Sequence, residues 1–197
     1  RERVIFVGFR SDLHISWKFP RPTHSLDRLL WDKYITGEYW DRHRIAIMHR
    51  KSTCNEHKRA ERLVNIPFGH PWRTVRDAIS RFGKPNDDGV NPFLNHRLQD
   101  GARTYPGHTG SPLDQPAKTL KAGVHGVPGG ENMVVRSDGS VRYFSVRESA
   151  ALQTFPDEYE FRGSWTEAMR QLGNAVPVKL AKSVATDVRR KLQAANG

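Results

Sequence analysis

Cysteine is nearly missing from the sequence, and long apolar runs are missing altogether. The one cysteine, Cys54, excludes a disulfide within the chain and a cysteine-rich zinc site. No apolar run approaches the ~18 residues that span a bilayer, and no signal-peptide pattern is visible. His43, His49 and His57 lack the spacing of metal ligands. We therefore expect a cytoplasmic protein that binds no metal and no membrane.

Acidic residues are outnumbered by basic ones. The chain has 21 Asp and Glu against 32 Lys and Arg, a formal net charge of +11 over 197 residues. This charge favours a polyanionic partner, above all nucleic acid, while a basic protein without a specific partner is the alternative. Aromatic residues make up 10% of the chain, enough for a core, so the composition is not that of a disordered protein. The length fits one large domain or two small ones.

Regular patterns lie towards the two ends of the chain. Residues 3–10, RVIFVGFR, form a short apolar run with β-branched and aromatic residues, which predicts a buried strand. The chain starts directly on this strand-like sequence and without a methionine, so we expect it to begin inside a fold. Residues 132–144, NMVVRSDGSVRYF, predict a hairpin, because Asp138-Gly139 accepts the positive φ of a tight turn.

Three helices are predicted after this hairpin. Residues 145–148 (SVRE) and 164–167 (SWTE) match capping boxes, in which the serine accepts a backbone N–H bond and the glutamate bonds the N–H of the serine. Gly173 is expected to end the second helix in the left-handed conformation, and Pro177 to be the first residue of the last helix. Apolar residues recur along the last helix and predict core packing, at Leu180, Val184, Val188 and Leu192.

The stretch between these ends, from Ser11 to about Met133, has weaker periodicity and many turn-forming residues. Within it, residues 25–35 and 74–82 have apolar residues at helical spacing, the second after a Thr-x-x-Asp start. Residues 43–50, HRIAIMHR, alternate like a strand. An irregular module inserted into a host fold would have this organisation.

Three segments, in this order, resemble the C-terminal third of DNA (cytosine-5) methyltransferases. RERVIFVGFR is similar to the eighth motif of that family, and Arg1 and Arg3 match the arginines of its Gln-x-Arg-x-Arg pattern. RYFSVRESAALQTFPDEYEF resembles the ninth motif, although Phe144 and Ala151 replace its usual leucine and arginine. QLGNAVPVKLA resembles the tenth motif. The matching residues of the last two motifs are Arg142, Arg147, Glu148, Ala150, Leu152, Gln153, Phe155, Pro156, Gln171, Gly173, Asn174, Ala175, Val176 and Pro177.

The resemblance implies a mixed α/β fold. In it, an irregular α+β target-recognition domain is inserted between a terminal strand and the C-terminal helices of a Rossmann-like methyltransferase catalytic domain that is otherwise absent from these residues. Residues 1–11 are then the end strand of the catalytic domain, and residues 12–135 the target-recognition domain that binds DNA. Residues 136–197 are the closing hairpin and helices that return to the catalytic domain.

The family's Gly-rich cofactor loop, Pro-Cys nucleophile motif and Glu-Asn-Val motif do not occur in this sequence. Cys54 follows no proline and lies in the polar stretch KSTCNEHK, which favours a solvated loop over a nucleophile. The resemblance therefore implies the DNA-recognition and pocket-closing part of an enzyme. That enzyme would transfer methyl from S-adenosylmethionine to carbon 5 of a flipped cytosine, in a prokaryotic restriction-modification system.

The partners implied by the resemblance are double-stranded DNA and an N-terminal catalytic portion or subunit of the same enzyme. Without that portion the chain is expected to be inactive. The first alternative is a non-catalytic, sequence-specific DNA-binding module that uses the same surface. The second is RNA methylation by a related enzyme.

The resemblance also implies roles for particular residues. Arg1 and Arg3 are expected near the flipped cytosine and its phosphates, whose oxygens suit a fork of donors, while surface ion pairing is the alternative. Arg147 is expected to brace the junction between the recognition and catalytic domains, and Glu148 to act as a capping carboxylate.

DNA contacts are expected in two places, at a Pro-Gly turn and around a Thr-Leu pair that recurs in the family, with plain surface loops as the alternative. The residues are Arg103, Tyr105, His108, Thr119, Leu120 and Gly123. The cofactor-binding candidates are Asn174, Ala175 and Val176. They precede a helix whose free N–H groups would suit the carboxylate of the cofactor.

Overall fold

Seven α-helices and five short strands run through the residues that the computed structural model describes, which are 4–51, 53–86, 92–122 and 130–195. The helices are α1 (Leu26–Tyr34), α2 (Glu38–Arg42), α3 (Cys54–Ala60), α4 (Val75–Ile79), α5 (Val146–Leu152), α6 (Trp165–Asn174) and α7 (Val178–Ala195). The strands are β1 (His24–Ser25), β2 (His70–Pro71), β3 (Ser111–Pro112), β4 (Met133–Val135) and β5 (Val141–Tyr143). Short 3₁₀ turns lie at Ser11–Leu13, Ile47–His49, Ser80–Phe82 and Gly130–Asn132.

The strands form two small sheets. β1 pairs in parallel with β2, which places His24 beside His70. In the second sheet β4 lies in the middle, parallel to β3 and antiparallel to β5. The predicted mixture of helices and strands is confirmed, whereas its insertion into a larger catalytic domain stays a prediction.

One main core joins the middle and the C-terminal part of the chain. It is built from α4, α5, α6 and the central strand of the second sheet, and it includes Phe144 and Met169, both fully buried. A second, smaller cluster of Leu29, Tyr39 and Trp40 holds α1 against α2. Burial of these apolar side chains is the main stabilising contribution to this part of the fold.

The local signals for helices and turns are confirmed. The side chain of Ser25 caps α1, whose Leu29 and Leu30 are buried as expected. Capping boxes are present at the starts of α4, α5 and α6. The hairpin of β4 and β5 turns at Gly139, whose φ is +87°. Each signal needs only four or five neighbouring residues, which explains why the sequence displays it.

The two other predicted strands are wrong for the residues that the structure describes. Residues 4–10 have no regular structure, and the side chain of Phe6 is 92% exposed. Residues 43–50 contain a 3₁₀ turn instead of a strand, and Ile47 and Met48 are exposed. A strand requires a hydrogen-bonded neighbour, and the described part of the chain supplies none to either segment. That residues 1–11 belong to a catalytic domain stays a prediction.

Gly173 does not end a helix in the left-handed conformation, so that prediction is wrong. α6 continues through Gly173 to Asn174, and α7 begins at Val178, one residue after Pro177. The reason for a glycine is space: a Cβ at Gly173 would lie 2.7 Å from the backbone nitrogen of Ala122 and from the carbonyl carbon of Lys121. The glycine therefore lets α6 lie directly on the backbone of residues 121–122.

The apolar stripe of α7 is not packed in a core within the described residues, which corrects the expectation for this helix. None of its described residues is buried, and Leu180 is 42% exposed. The N-terminal segment reaches α7, because Trp17 Nε1 donates a hydrogen bond of 2.7 Å to Asp187. We call residues 4–10 and α7 together the terminal surface.

Candidate functional site

The start of α5 is organised by a buried ion pair. The two terminal guanidinium nitrogens of Arg142 each donate to Glu148 at 2.6 Å, and the backbone N–H of Ser145 donates to the same carboxylate at 2.9 Å. Glu148 is fully buried. The capping role expected for Glu148 is confirmed, and both of its oxygens are engaged within the chain.

Arg147, also on α5, holds two distant loops together. Its side chain is fully buried and donates to the backbone carbonyls of Leu94, Pro156 and Tyr159. Burial lowers the pKa of the Arg147 guanidinium. The loops that it joins lie on either side of the predicted boundary at residue 135, as a brace would require, and the assignment of that role stays a prediction.

The segment that contains Thr119 and Leu120 is fixed at several points. Leu120 is buried in the main core, whereas Thr119 is exposed. Before this pair, the N–H of Lys118 donates to Ser111 Oγ at 3.0 Å, and after it the N–H of Lys121 donates to Asn132 Oδ1 at 3.2 Å. Thr119 is therefore presented to solvent from a rigid segment.

The Pro-Gly turn lies beside this segment. The backbone groups of Tyr105 and His108 bond each other, Gly107 has a φ of +80°, and the two side-chain rings lie 4.3 Å apart. Glu131 Oε2 links the turn to the Thr119 segment, because it lies 3.2 Å from both His108 Nδ1 and Lys121 Nζ. Burial raises the pKa of Glu131, but its own backbone N–H, Lys121 and His108 hold that pKa below its usual value.

Three of the predicted site residues lie outside the described residues, namely Arg1, Arg3 and Gly123. Arg103 is described and is exposed, on the same turn as Tyr105. Cys54 is exposed at the start of α3. Among the described residues no group of three or more His, Cys, Asp or Glu side chains could hold a metal ion. None of the described helices combines the length and apolarity needed to cross a membrane.

The cofactor-binding candidates lie within residues 174–177, which we call the loop between α6 and α7, although Asn174 is also the last residue of α6. Asn174 and Val176 are exposed and Ala175 is half-buried. The expectation of free N–H groups at the start of α7 is wrong for its first two residues. The N–H of Val178 donates to the carbonyl of Gln153 at 3.0 Å, and the N–H of Lys179 donates to Thr154 Oγ1 at 2.9 Å. The N–H of Ala175 donates to the carbonyl of Gln171 at 3.0 Å and Pro177 has no N–H, so the side chain of Asn174 and the backbone of Val176 stay the candidates for binding a cofactor.

Close packing connects this loop with the Thr119 segment. Gly173, the residue before Asn174, lies against the backbone of Lys121 and Ala122 with no room for a side chain. The cofactor-binding candidates and the Thr119 segment are more than 50 positions apart in the sequence. In the structure this contact makes them neighbours.

One buried polar cluster escaped the sequence analysis. Lys33 is buried, its Nζ lies 3.4 Å from Glu56, and it donates to the carbonyl of Asp114 at 3.1 Å. Burial lowers the pKa of Lys33. The signal was present, since Lys33 follows Leu29 and Leu30 by four and three positions and so shares their buried face.

Comparisons with known proteins match nearly the whole chain. The family model described as C-5 cytosine-specific DNA methylase matches residues 1–190. Type II methyltransferase M.PspPI of Psychrobacter sp. (strain TA137) is 28% identical over 99% of this chain and 43% of its own length. Type II methyltransferase M.NgoFVII of Neisseria gonorrhoeae is 31% identical over 93% of this chain and 45% of its own. Type II methyltransferase M.Eco47II of Escherichia coli is 30% identical over 95% of this chain and 41% of its own length. The chain thus spans less than half the length of each of these relatives.

Proposed function

Since the chain belongs to the C-5 cytosine-specific DNA methylase family, we propose that it is the DNA-recognition and pocket-closing part of a DNA (cytosine-5) methyltransferase of a type II restriction-modification system. The methyl donor is S-adenosylmethionine and the substrate is a cytosine in double-stranded DNA. The reaction also needs a catalytic portion, by which we mean polypeptide that carries the Gly-rich, Pro-Cys and Glu-Asn-Val motifs.

The chemistry explains why the two parts must act together. Carbon 5 of cytosine is a weak nucleophile, so a thiolate has to add at carbon 6 before a methyl group can be accepted. The target base lies inside a duplex and must be turned out of it. In this proposal the catalytic portion supplies the thiolate, and the present chain grips the DNA and closes the pocket.

The proposed DNA-contacting residues are Thr119 and three residues of the Pro-Gly turn, of which Arg103 and Tyr105 are exposed and His108 is half-buried. Arg103, Tyr105 and His108 are placed to reach base edges or phosphates, and Thr119 to bond a phosphate beside the flipped base. Leu120 contributes as an anchor, because its side chain lies in the core. Gly123 stays a proposed DNA contact, and Arg1 and Arg3 stay proposed supporting residues near the flipped cytosine.

The single observation that carries the proposal is the contact of Gly173 with residues 121–122. It sets Asn174, Ala175 and Val176, the cofactor-binding candidates, beside the segment that presents Thr119. Methyl transfer requires the donor and the base to meet at one point, and this contact supports such a meeting.

The terminal surface is the proposed docking site of the catalytic portion. Val4 and Phe6 are more than four-fifths exposed, and Leu180 on α7 is also exposed. Large exposed apolar patches mark interaction sites in soluble proteins, and in this proposal these side chains belong to such a patch. The length of the relatives supports the catalytic portion as the partner, since this chain covers less than half of each relative described above.

A methyl-transfer assay tests the proposal. Tritium from labelled S-adenosylmethionine should enter cytosine in duplex DNA only when this chain and the catalytic portion are both present. The control replaces the cysteine of the Pro-Cys motif by serine. Transfer by this chain alone would contradict the proposal, and tight duplex binding without transfer in the mixture would favour the non-catalytic DNA-binding module.

A further inference from the structure

We propose that Gln153 and Thr154 are positioning residues that fix the loop of residues 174–177 in its cofactor-binding shape. The cofactor named here rests on the proposed function. The fixing of the loop rests on hydrogen bonds within the chain, which can be examined without any ligand.

Gln153 bonds both ends of the loop. Its side-chain Nε2 donates to the carbonyl of Leu172 near the end of α6 at 2.8 Å, and its carbonyl accepts from the N–H of Val178 at 3.0 Å. Gln153 is 4% exposed, so these bonds are shielded from water. Since water cannot replace a buried partner, loss of either bond leaves an unsatisfied group.

Thr154 bonds the next residue of α7 from a strained backbone. Its φ is +60°, a conformation that is unfavourable for a β-branched residue. Its N–H donates to the carbonyl of Ala151 at 3.0 Å, and its Oγ1 accepts from the N–H of Lys179 at 2.9 Å. Glycine or asparagine would adopt this backbone more readily. The hydroxyl bond to α7 gives a reason for threonine at this position.

The opposite side of the loop is fixed by close packing. Gly173 lies on the backbone of Lys121 and Ala122. With Gln153 and Thr154 on one side and this contact on the other, the loop has little freedom before any ligand arrives. A preformed loop lowers the entropy cost of binding, so losing a fixing bond weakens binding of the cofactor more than it slows the chemical step.

The first arm of the test is kinetic and uses this chain together with the catalytic portion. Thr154→Val keeps the β-branched shape but removes the acceptor, and it should raise the KM for S-adenosylmethionine about 10-fold, as expected for a lost helix cap, with kcat within about twofold. Thr154→Ser restores the hydroxyl and should return KM to within about twofold of the unchanged chain. Thr166→Val makes the same atomic change on an exposed residue of α6 that lies outside the proposed sites, and it is the matched control.

The second arm is hydrogen exchange of the 197-residue chain, with no ligand or partner added. Thr154→Val should speed exchange of the Lys179 amide about 10-fold and leave the Val178 amide, which is bonded to Gln153, nearly unchanged. An unchanged Lys179 amide, or equal effects of Thr154→Val and Thr166→Val, would overturn the positioning role. If the assembled enzyme transfers no methyl group, the proposed function fails, and the exchange result alone decides whether Thr154 fixes the loop.

Discussion

The main core buries its apolar side chains, whereas the terminal surface exposes them to solvent. In the core, Phe144 is fully buried and its neighbours on α4, α5 and α6 are closely packed. On the terminal surface, Phe6 is 92% exposed and α7 has no buried residue among those described. The core is therefore packed within the described residues, whereas the terminal surface exposes apolar side chains such as Phe6 and Leu180. We infer that it is covered in the assembled enzyme.

The largest expected effect comes from truncating one phenylalanine in each region. Phe144→Ala should lower the free energy of unfolding by about 3–5 kcal/mol, the cost of a cavity in a packed core. Phe6→Ala should leave it unchanged within about 0.5 kcal/mol, as for exposed sites, but weaken binding of the catalytic portion. Denaturant unfolding and a binding titration measure both. Equal destabilisation by the two variants would abolish the distinction between the regions.

The second comparison concerns ion pairs. Glu148→Gln leaves the half-buried Arg142 without the buried carboxylate that pairs with it and should cost about 3 kcal/mol. Asp12→Asn removes the exposed pair with Arg10 and should have no measurable effect on unfolding, since solvent screens that pair. Urea titrations of both variants give the two differences. A large loss for Asp12→Asn would mean that the N-terminal segment is more tightly integrated than its exposure indicates.

Two glycines provide the third comparison. Gly173→Ala inserts a methyl group where backbone atoms lie 2.7 Å away, and it should destabilise the chain by about 1–3 kcal/mol and shift the Thr119 segment. Gly8→Ala meets nothing within 4 Å and should be neutral. Thermal unfolding measures the change in stability, and the affinity for duplex DNA reports the shift of the Thr119 segment. Unchanged duplex affinity in Gly173→Ala would separate this contact from DNA binding.

The smallest expected effect is a pH dependence at the start of α4. Burial alone would raise the pKa of Asp77, but bonds from His43 and Thr74 and the charge of Arg42 hold that pKa well below its usual value. A lowered folded-state pKa stabilises the fold above the unfolded-state pKa of about 3.9, and this contribution is lost as pH falls towards the folded-state value.

Asp77→Asn should therefore cost about 0.5–1.5 kcal/mol at neutral pH, the net contribution of a typical hydrogen bond. The variant should also lose less stability than the unchanged chain between about pH 5 and pH 2. Unfolding curves across that range test this, with Asp12→Asn as the exposed control. Parallel curves for Asp77→Asn and the unchanged chain would exclude Asp77 as a source of acid sensitivity.

The sequence predicted what neighbouring residues determine and missed what distant partners determine. The capping boxes of α4, α5 and α6 and the turn at Gly139 depend on a few adjacent residues, and all were predicted correctly. The strand predicted at residues 43–50 failed because alternation cannot supply a neighbouring strand. The sequence analysis explained Gly173 as a left-handed helix end. Its actual role, close packing on the backbone of residues 121–122, depends on residues that are remote in sequence.

The candidate site divides in the same way. Asn174, Ala175 and Val176 were identified by motif, and so was the exposed Thr119. The bonds of Gln153 and Thr154 to α7 became visible only in three dimensions, because nothing in the motif indicates that Thr154 adopts a left-handed backbone. The roles of these residues in binding DNA and cofactor stay predictions until ligands are added.

Hydroxyl-radical footprinting of the terminal surface tests the central claim most directly. Phe6 and Leu180 should be oxidised readily in the chain alone and become strongly protected when the catalytic portion is added, while Tyr105 and His108 on the Pro-Gly turn stay reactive until duplex DNA is added. Unchanged oxidation of Phe6 and Leu180 in an assembly that methylates DNA would contradict the account.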